Sequence, residues 1–158
     1  MRKIFAGILL SLFVISCQAD DSLLCTGHTT YVFGVFNGFC RGEACIEIFK
    51  WDGEHLYEDI HDDYPEVDDF YKADFERMDE SIARRFQGLE FSVPDSLLLK
   101  EDIVYGIPDG YDQGGLYFEI RTKDLRQFWL LDQDPQNLPD FLIPLHEEIN
   151  EWVERTRD

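Results

Sequence analysis

Three carboxylates in predicted strands have the chemistry of acid–base catalysts. Glu47 and Glu119 each lie between two apolar residues, and Asp132 ends a third apolar run. Two carboxyl groups that face each other in a cleft can act as general acid and general base. Side chains alternate between the faces of a strand, so both glutamates are expected to point away from their apolar neighbours, towards solvent. This alternation favours surface ion pairs with Lys50 or Arg121 over catalysis.

Histidines offer a second chemistry, metal binding. If the third predicted strand extended to residue 61, His55, Asp59 and His61 would share one face and supply nitrogen and oxygen ligands. The alternative is that they are exposed polar residues on an edge strand. The acidic segment 58–69 is rich in oxygen ligands but lacks the Asp-x-Asp-x-Asp-Gly spacing of a calcium loop, which favours a solvated loop.

Motifs for other catalytic chemistry are missing from the sequence. There is no Gly-x-Ser-x-Gly elbow, no Gly-x-Gly-x-x-Gly and no phosphate-binding loop. We therefore predict no catalytic residue and no cofactor.

The first residues predict export and lipid attachment. A basic start precedes an apolar run at 4–15, which is typical of a secretory signal peptide and shorter than the roughly 20 residues that cross a bilayer. The tetrapeptide Val14-Ile15-Ser16-Cys17 resembles the lipobox of bacterial lipoproteins. That resemblance implies removal of residues 1–16 and acylation of Cys17. The alternative is a soluble secreted protein in which Cys17 is an ordinary residue.

Residues 17–29 are predicted to form an acidic tether. Within it, Gln18-Ala19-Asp20-Asp21 resembles the export signal of surface-exposed lipoproteins in the Bacteroidota, which implies an outer-membrane anchor and favours surface display. Loss of Arg2 and Lys3 with the leader takes the net charge from −19 to −21. Such a surface repels nucleic acid and tolerates cationic partners, or it serves only to limit aggregation.

The remaining cysteines predict a disulfide. Four residues separate Cys40 from Cys45 in a predicted turn, and compartments beyond the inner membrane are oxidising. Cys25 is the alternative partner of either residue. No second pair of ligands completes a zinc site around this spacing.

Residues 30–158 are predicted to form one globular domain, because 44% of the chain is hydrophobic and 15% is aromatic. Apolar periodicity and turn residues predict strands at 30–38, 45–51, 54–60, 116–121 and 126–132, a helix at 74–87 and a C-terminal helix. This order of three strands, helix, two strands and helix predicts an α+β two-layer sandwich. Its sheet would be mainly antiparallel, with about five strands and the helices on one face.

The predicted sheet has more aromatic side chains than one helical layer needs. Aromatic surface often marks a binding site, so Trp51, Tyr117 and Trp129, with Glu47 and Glu119, form the predicted binding face. The alternative is that loops and the second helix cover these residues.

Much of the mature chain resembles a group of small uncharacterised lipoproteins of the Bacteroidota. The similarity is carried by residues 39–50, Leu56-Tyr57-Glu58-Asp59, Tyr64-Pro65 and a later hairpin at 114–120 and 128–132. It implies no activity, because the group has no assigned function.

Together these features predict a lipid-anchored protein of the cell envelope with a non-catalytic binding or structural role. Its expected contacts are the membrane, through acyl chains on Cys17, and a protein or cationic partner. A second hypothesis is an inhibitor or immunity-type lipoprotein that neutralises a basic effector. A third is a hydrolase that uses Glu47, Glu119 or Asp132, which two of these carboxylates in one deep pocket would favour.

Overall fold

The computed structural model describes residues 28–40, 45–110 and 113–157, which form a mixed α+β fold around a seven-stranded sheet. Its strands are β1 (Thr30–Phe36), β2 (Ile46–Trp51), β3 (Leu56–Asp59), β4 (Phe75–Arg77), β5 (Val104–Tyr105), β6 (Gly115–Arg121) and β7 (Arg126–Asp132). They lie in the order β4-β3-β2-β1-β6-β7-β5, and only the β5–β7 pair is parallel. The predicted α+β class and mainly antiparallel sheet are confirmed, but the sheet has seven strands and not about five.

Three α-helices accompany the sheet in the described residues: α1 (Glu80–Ala83), α2 (Asp95–Leu98) and α3 (Ile143–Arg157). Short 3-10 helices lie at Arg84–Phe86, Pro135–Asn137 and Asp140–Leu142. No helix among these residues combines the length and apolarity needed to cross a membrane. The predicted leader, Cys17, Cys25 and most of the predicted tether lie outside the described residues.

The predicted helix at 74–87 is wrong in its first part. Phe75–Arg77 pairs with β3 as an edge strand, and the backbone bonds from Ile60 to Asp74 and from Met78 to Leu56 extend that ladder. The helix begins only at Glu80, where the Asp79 carboxylate accepts a hydrogen bond from the Ser81 amide. Pairing with β4 satisfies the backbone hydrogen-bonding groups at the open edge of β3. The helical spacing of apolar residues in the sequence contains no information about this requirement.

Residues of all three helices pack into one core cluster on one face of the sheet, which we call the helical face. Leu145, Ile149 and Val153 of α3 are buried there with Leu97 of α2 and Ala83 of α1. Pro144 falls in the first turn of α3, where no helical hydrogen bond needs its missing amide.

The opposite face, which we call the loop face, is covered by the segment 60–74. Val32, Ile48 and Tyr117 form a second buried cluster on it, together with Tyr71 from the segment. The structure thus agrees with the alternative that loops cover the aromatic side chains of the sheet.

Candidate functional site

Four of the five residues predicted to form an exposed binding face lie in the interior. Trp51 and Trp129 belong to the core of the helical face, and Tyr117 and Glu119 are fully buried on the loop face, at 0% exposure each. The expectation that Glu119 points to solvent is therefore wrong, because both faces of the sheet are covered. Glu47 lies on the helical face and forms an ion pair with Arg157 at the end of α3.

Glu119 is instead a buried carboxylate at the centre of an ion-pair network with two partly exposed arginines. Its Oε1 accepts hydrogen bonds from Nε of Arg121 at 2.5 Å and from Nε of Arg126 at 2.7 Å. Its Oε2 accepts from the Tyr117 hydroxyl at 2.7 Å and from a second Arg121 nitrogen at 3.1 Å. These bonds compensate the cost of removing the carboxylate from water. The predicted pairing of Glu119 with Arg121 agrees with this geometry.

The same network fastens the covering segment to the sheet. The Tyr71 amide donates to the Tyr117 hydroxyl at 3.1 Å, and the Tyr71 hydroxyl donates to Asp59 at 2.5 Å. Asp59 also accepts from the Asp74 amide at 2.7 Å. Burial, with the adjacent carboxylate, raises the pKa of both tyrosines, so each hydroxyl stays a neutral donor. Asp59 accepts a further hydrogen bond from the Asp62 amide at 3.1 Å, so it holds both ends of the segment.

The metal ligands proposed from the sequence have separate partners. Nδ1 of His55 lies 3.7 Å from a carboxylate oxygen of Asp52, and Nδ1 of His61 lies 3.9 Å from a carboxylate oxygen of Asp74. Asp59 instead accepts a hydrogen bond from the Tyr71 hydroxyl. The period of two does not reach residue 61, because β3 ends at Asp59. In the ranges that the structure describes, no three His, Cys, Asp or Glu side chains are grouped closely enough to hold a metal ion.

Asp132, the third carboxylate of the hydrolase hypothesis, organises the end of β7. It accepts from the Ile107 amide at 2.8 Å, from the Asn137 side chain at 3.0 Å and from the Asp134 amide at 2.9 Å. Glu47, Glu119 and Asp132 are therefore engaged by different partners in different parts of the fold.

A groove at one end of the loop face is the strongest candidate site. Its volume is about 250 Å³, and its floor includes the buried side chains of Phe36 and Leu130. Its walls carry four of the seven large hydrophobic side chains that are exposed in the described residues: Tyr64 at 46%, Val67 at 60%, Val104 at 39% and Ile107 at 62%. Large apolar side chains concentrated on one exposed feature are typical of a binding surface.

Asp109 holds one wall of this groove in place. Its carboxylate accepts from the Tyr64 hydroxyl at 2.9 Å, from the Gly38 amide at 2.8 Å and from the Gly114 amide at 3.1 Å. Burial, then this hydrogen bond, raises the pKa of Tyr64 to about 12, so the hydroxyl donates throughout the physiological range. The Tyr64 ring meets Phe36 edge-on, with 5.2 Å between ring centroids.

Sequence reasoning missed Asp109 as a site residue. The Pro108-Asp109-Gly110 turn is visible in the sequence and predicts only a loop. At Asp109 the backbone adopts φ 55°, which an aspartate tolerates better than most residues. The turn signal could have marked the position, but nothing in the local sequence indicates its bonds to Tyr64 and Gly38.

The predicted disulfide between Cys40 and Cys45 is confirmed, and it lies beside the groove. It uses both Cys40 and Cys45, either of which the alternative paired with Cys25. The Asn37 amide donates to the Cys45 carbonyl at 2.8 Å, which closes the end of the β1–β2 connection. A neighbouring cavity is lined by both cysteines and by Tyr64, so the disulfide supports the same wall of the groove.

The groove has the chemistry of binding. The only polar side-chain group among the described residues that line it, the Tyr64 hydroxyl, is held by Asp109. The segment 62–69, which supplies part of the wall, contains five acidic residues and no basic one. Comparison with protein-family models, with curated proteins and with solved structures finds no match to this chain. The geometry and charge of the groove are therefore the guide to function.

Proposed function

We propose that this chain is a lipid-anchored protein of the cell envelope that binds a partner polypeptide without catalysis. The groove on the loop face takes an apolar side chain from a cationic segment of that partner. One observation carries the proposal: four exposed apolar side chains converge on a single groove in a chain whose net charge is −19.

The size of the groove favours a polypeptide over a small molecule. Its volume of about 250 Å³ is below the roughly 300–1,000 Å³ of typical small-molecule sites. A space of this size suits one large apolar side chain, and such an anchor in a well-packed pocket supplies much of the affinity of many protein interfaces.

Charge complementarity favours a cationic partner. Asp63 and Glu66 flank the wall residues Tyr64 and Pro65, and Asp109 lies at the end of the Tyr64 side chain. Basic groups around an apolar anchor would meet these carboxylates and would also be attracted by the charge of the whole chain. A basic effector that the chain neutralises is one partner of this kind, so the inhibitor hypothesis makes the same use of the groove.

Replacing Ile107 with glutamate is expected to weaken binding of a cationic apolar peptide by about tenfold or more, equivalent to about 1.4 kcal/mol. The probe is a fluorescein-labelled peptide of alternating lysine and leucine, followed by fluorescence anisotropy. The new carboxylate would by itself attract the peptide, so a loss of affinity reports the lost apolar contact. The Ile107 amide and its bond to Asp132 remain available in the variant.

Leu99→Glu is the matched control for this experiment. Leu99 is as apolar and even more exposed, at 74%, and it follows α2 on the other side of the sheet. Its variant should bind the peptide at least as well as the original chain. Equal affinities of Ile107→Glu and Leu99→Glu would contradict the groove as the binding site.

The anchor rests on the lipobox-like tetrapeptide and is tested by Cys17→Ser. Each buried methylene contributes about 0.8 kcal/mol to membrane affinity, and anchoring needs more than one acyl chain to be stable. Serine cannot carry the thioether-linked lipid, so the variant should leave the membrane fraction, whereas Cys25→Ser, the matched control, should stay in it. Fractionation with immunoblotting measures both, and membrane retention of Cys17→Ser would reject the anchor.

A further inference from the structure

We infer that Arg121 and Arg126 form a second binding site, for a small oxyanion that carries a phosphate or carboxylate group. The site lies at the end of the loop face away from the groove. Gly115, the first residue of β6, pairs with the groove residue Phe36 of β1. Arg121 lies six residues further along β6, which places its Cα roughly 20 Å from that of Gly115.

An unbalanced positive charge is the first observation behind this site. Arg121 and Arg126 are directly opposite in the β6–β7 register, where like charges repel. Both Nε groups bond the same oxygen of Glu119. One carboxylate therefore serves two guanidinium groups, and the group of three keeps one positive charge in a chain whose net charge is −19.

Unused hydrogen-bond donors are the second observation. A guanidinium has five N–H groups, and in the part of the chain that the structure describes Arg126 donates only through Nε. Arg121 donates through Nε and one terminal nitrogen. The side chain of Arg126 is 46% exposed and that of Arg121 is 31% exposed, so the remaining donors are accessible from solvent. Terminal guanidinium nitrogens match the spacing of two oxygens on phosphate or carboxylate.

The two arginines are also held in position before any ligand arrives. The guanidinium carbon of Arg126 lies 4.0 Å from the centre of the Phe70 ring, and its Nε is fixed by Glu119. Arg121 makes two bonds to the same buried carboxylate. Side chains that are already ordered lose less entropy when they bind an anion.

The surroundings of the pair add further positive potential. Lys50 lies on the same face in β2, with its Nζ 3.8 Å from the Tyr57 ring centre. Burial, and then the charge of Arg121, lower the pKa of Lys50. An anion bound at the arginines would relieve this repulsion. Asp69, whose carboxylate also interacts with Arg126, is paired with Lys72 at 3.0 Å.

The test is an NMR titration of the full chain labelled with ¹⁵N on arginine. Sodium phosphate and sodium acetate are added in separate arms against sodium chloride at constant ionic strength, and the arginine Nε–Hε signals are followed. We expect saturable shifts of the Arg121 and Arg126 signals in the phosphate arm, the acetate arm or both, which also tells the two ligand groups apart. Absence of a saturable, localised shift in both arms overturns the proposal without any variant.

Two variants sharpen this result. Arg126→Gln removes one guanidinium and should weaken the oxyanion by at least tenfold, while Arg84→Gln removes the same charge from an exposed position on α1's C-terminal side and should change affinity less than twofold. Equal weakening by both variants would show general charge attraction and would overturn the site. Arg126→Lys keeps the positive charge but loses the planar pair of terminal guanidinium nitrogens. This variant should also bind the oxyanion more weakly than the original chain.

Discussion

Replacing Glu119 with alanine is expected to lower the free energy of unfolding by about 3–5 kcal/mol, the usual effect of breaking a buried ion pair. The variant leaves two guanidinium groups facing each other across β6 and β7 with no carboxylate between them. It also leaves the buried Tyr117 hydroxyl without its acceptor and opens a cavity in a site that is 0% exposed.

Urea unfolding followed by tryptophan fluorescence measures this change, and Glu76→Ala is the matched control. Glu76 is an exposed glutamate of the edge strand β4, where substitutions usually change stability by no more than about 0.5 kcal/mol. Glu119→Gln keeps the shape and some hydrogen bonds, so its loss should fall between the two. A loss below about 1 kcal/mol in Glu119→Ala would show that the network contributes little to the fold.

Local features of the fold were predictable because short-range physics sets them. The strand Arg126–Asp132 has the predicted bounds, since β-forming residues and flanking turns define it without help from the rest of the chain. The disulfide was predictable for the same reason, because a separation of five residues brings Cys40 and Cys45 together whatever lies around them.

The buried position of Glu119 was not predictable in this way. A period of two states which residues share a face, but it does not state whether that face is covered. Cover is provided by a segment rich in acidic residues that suggests solvent exposure, and its apolar contribution consists of a few residues such as Phe70 and Tyr71. Only the tertiary structure shows that Tyr71 fits between Asp59 and Tyr117.

The groove escapes sequence reasoning for a related reason. Phe36, Tyr64, Ile107 and Leu130 come from four separate parts of the chain, so no spacing rule connects them. Exposed apolar residues in loops carry no periodic signal, and Asp109 joins two of these parts by side-chain bonds that span 71 and 45 residues. The sequence-based prediction placed a binding face on the aromatic residues of the strands and did not include the residues of this groove.

Gly34 is constrained by the close approach of the neighbouring strand backbone. Its replacement by alanine is expected to destabilise the fold by about 3 kcal/mol. A Cβ at this position would lie 2.0 Å from the backbone oxygen of Glu47 and 2.7 Å from Cα of Ile48. Both are backbone atoms of β2, so no side-chain rotation relieves the overlap. Since β1 pairs with β2 on one side and β6 on the other, a shift of β1 disturbs both ladders.

Gly88→Ala separates this steric cost from the conformational cost of losing a glycine. Gly88 has φ 81°, and a Cβ there would meet nothing within 4 Å, so its replacement should cost about 1–2 kcal/mol through the backbone alone. Urea unfolding of the two variants side by side gives the difference. If Gly34→Ala costs no more than Gly88→Ala, the close approach of β1 and β2 is not a constraint on this sheet. A larger loss at Gly34 would mean that the approach of two backbones, and not turn geometry, requires glycine in the central strand.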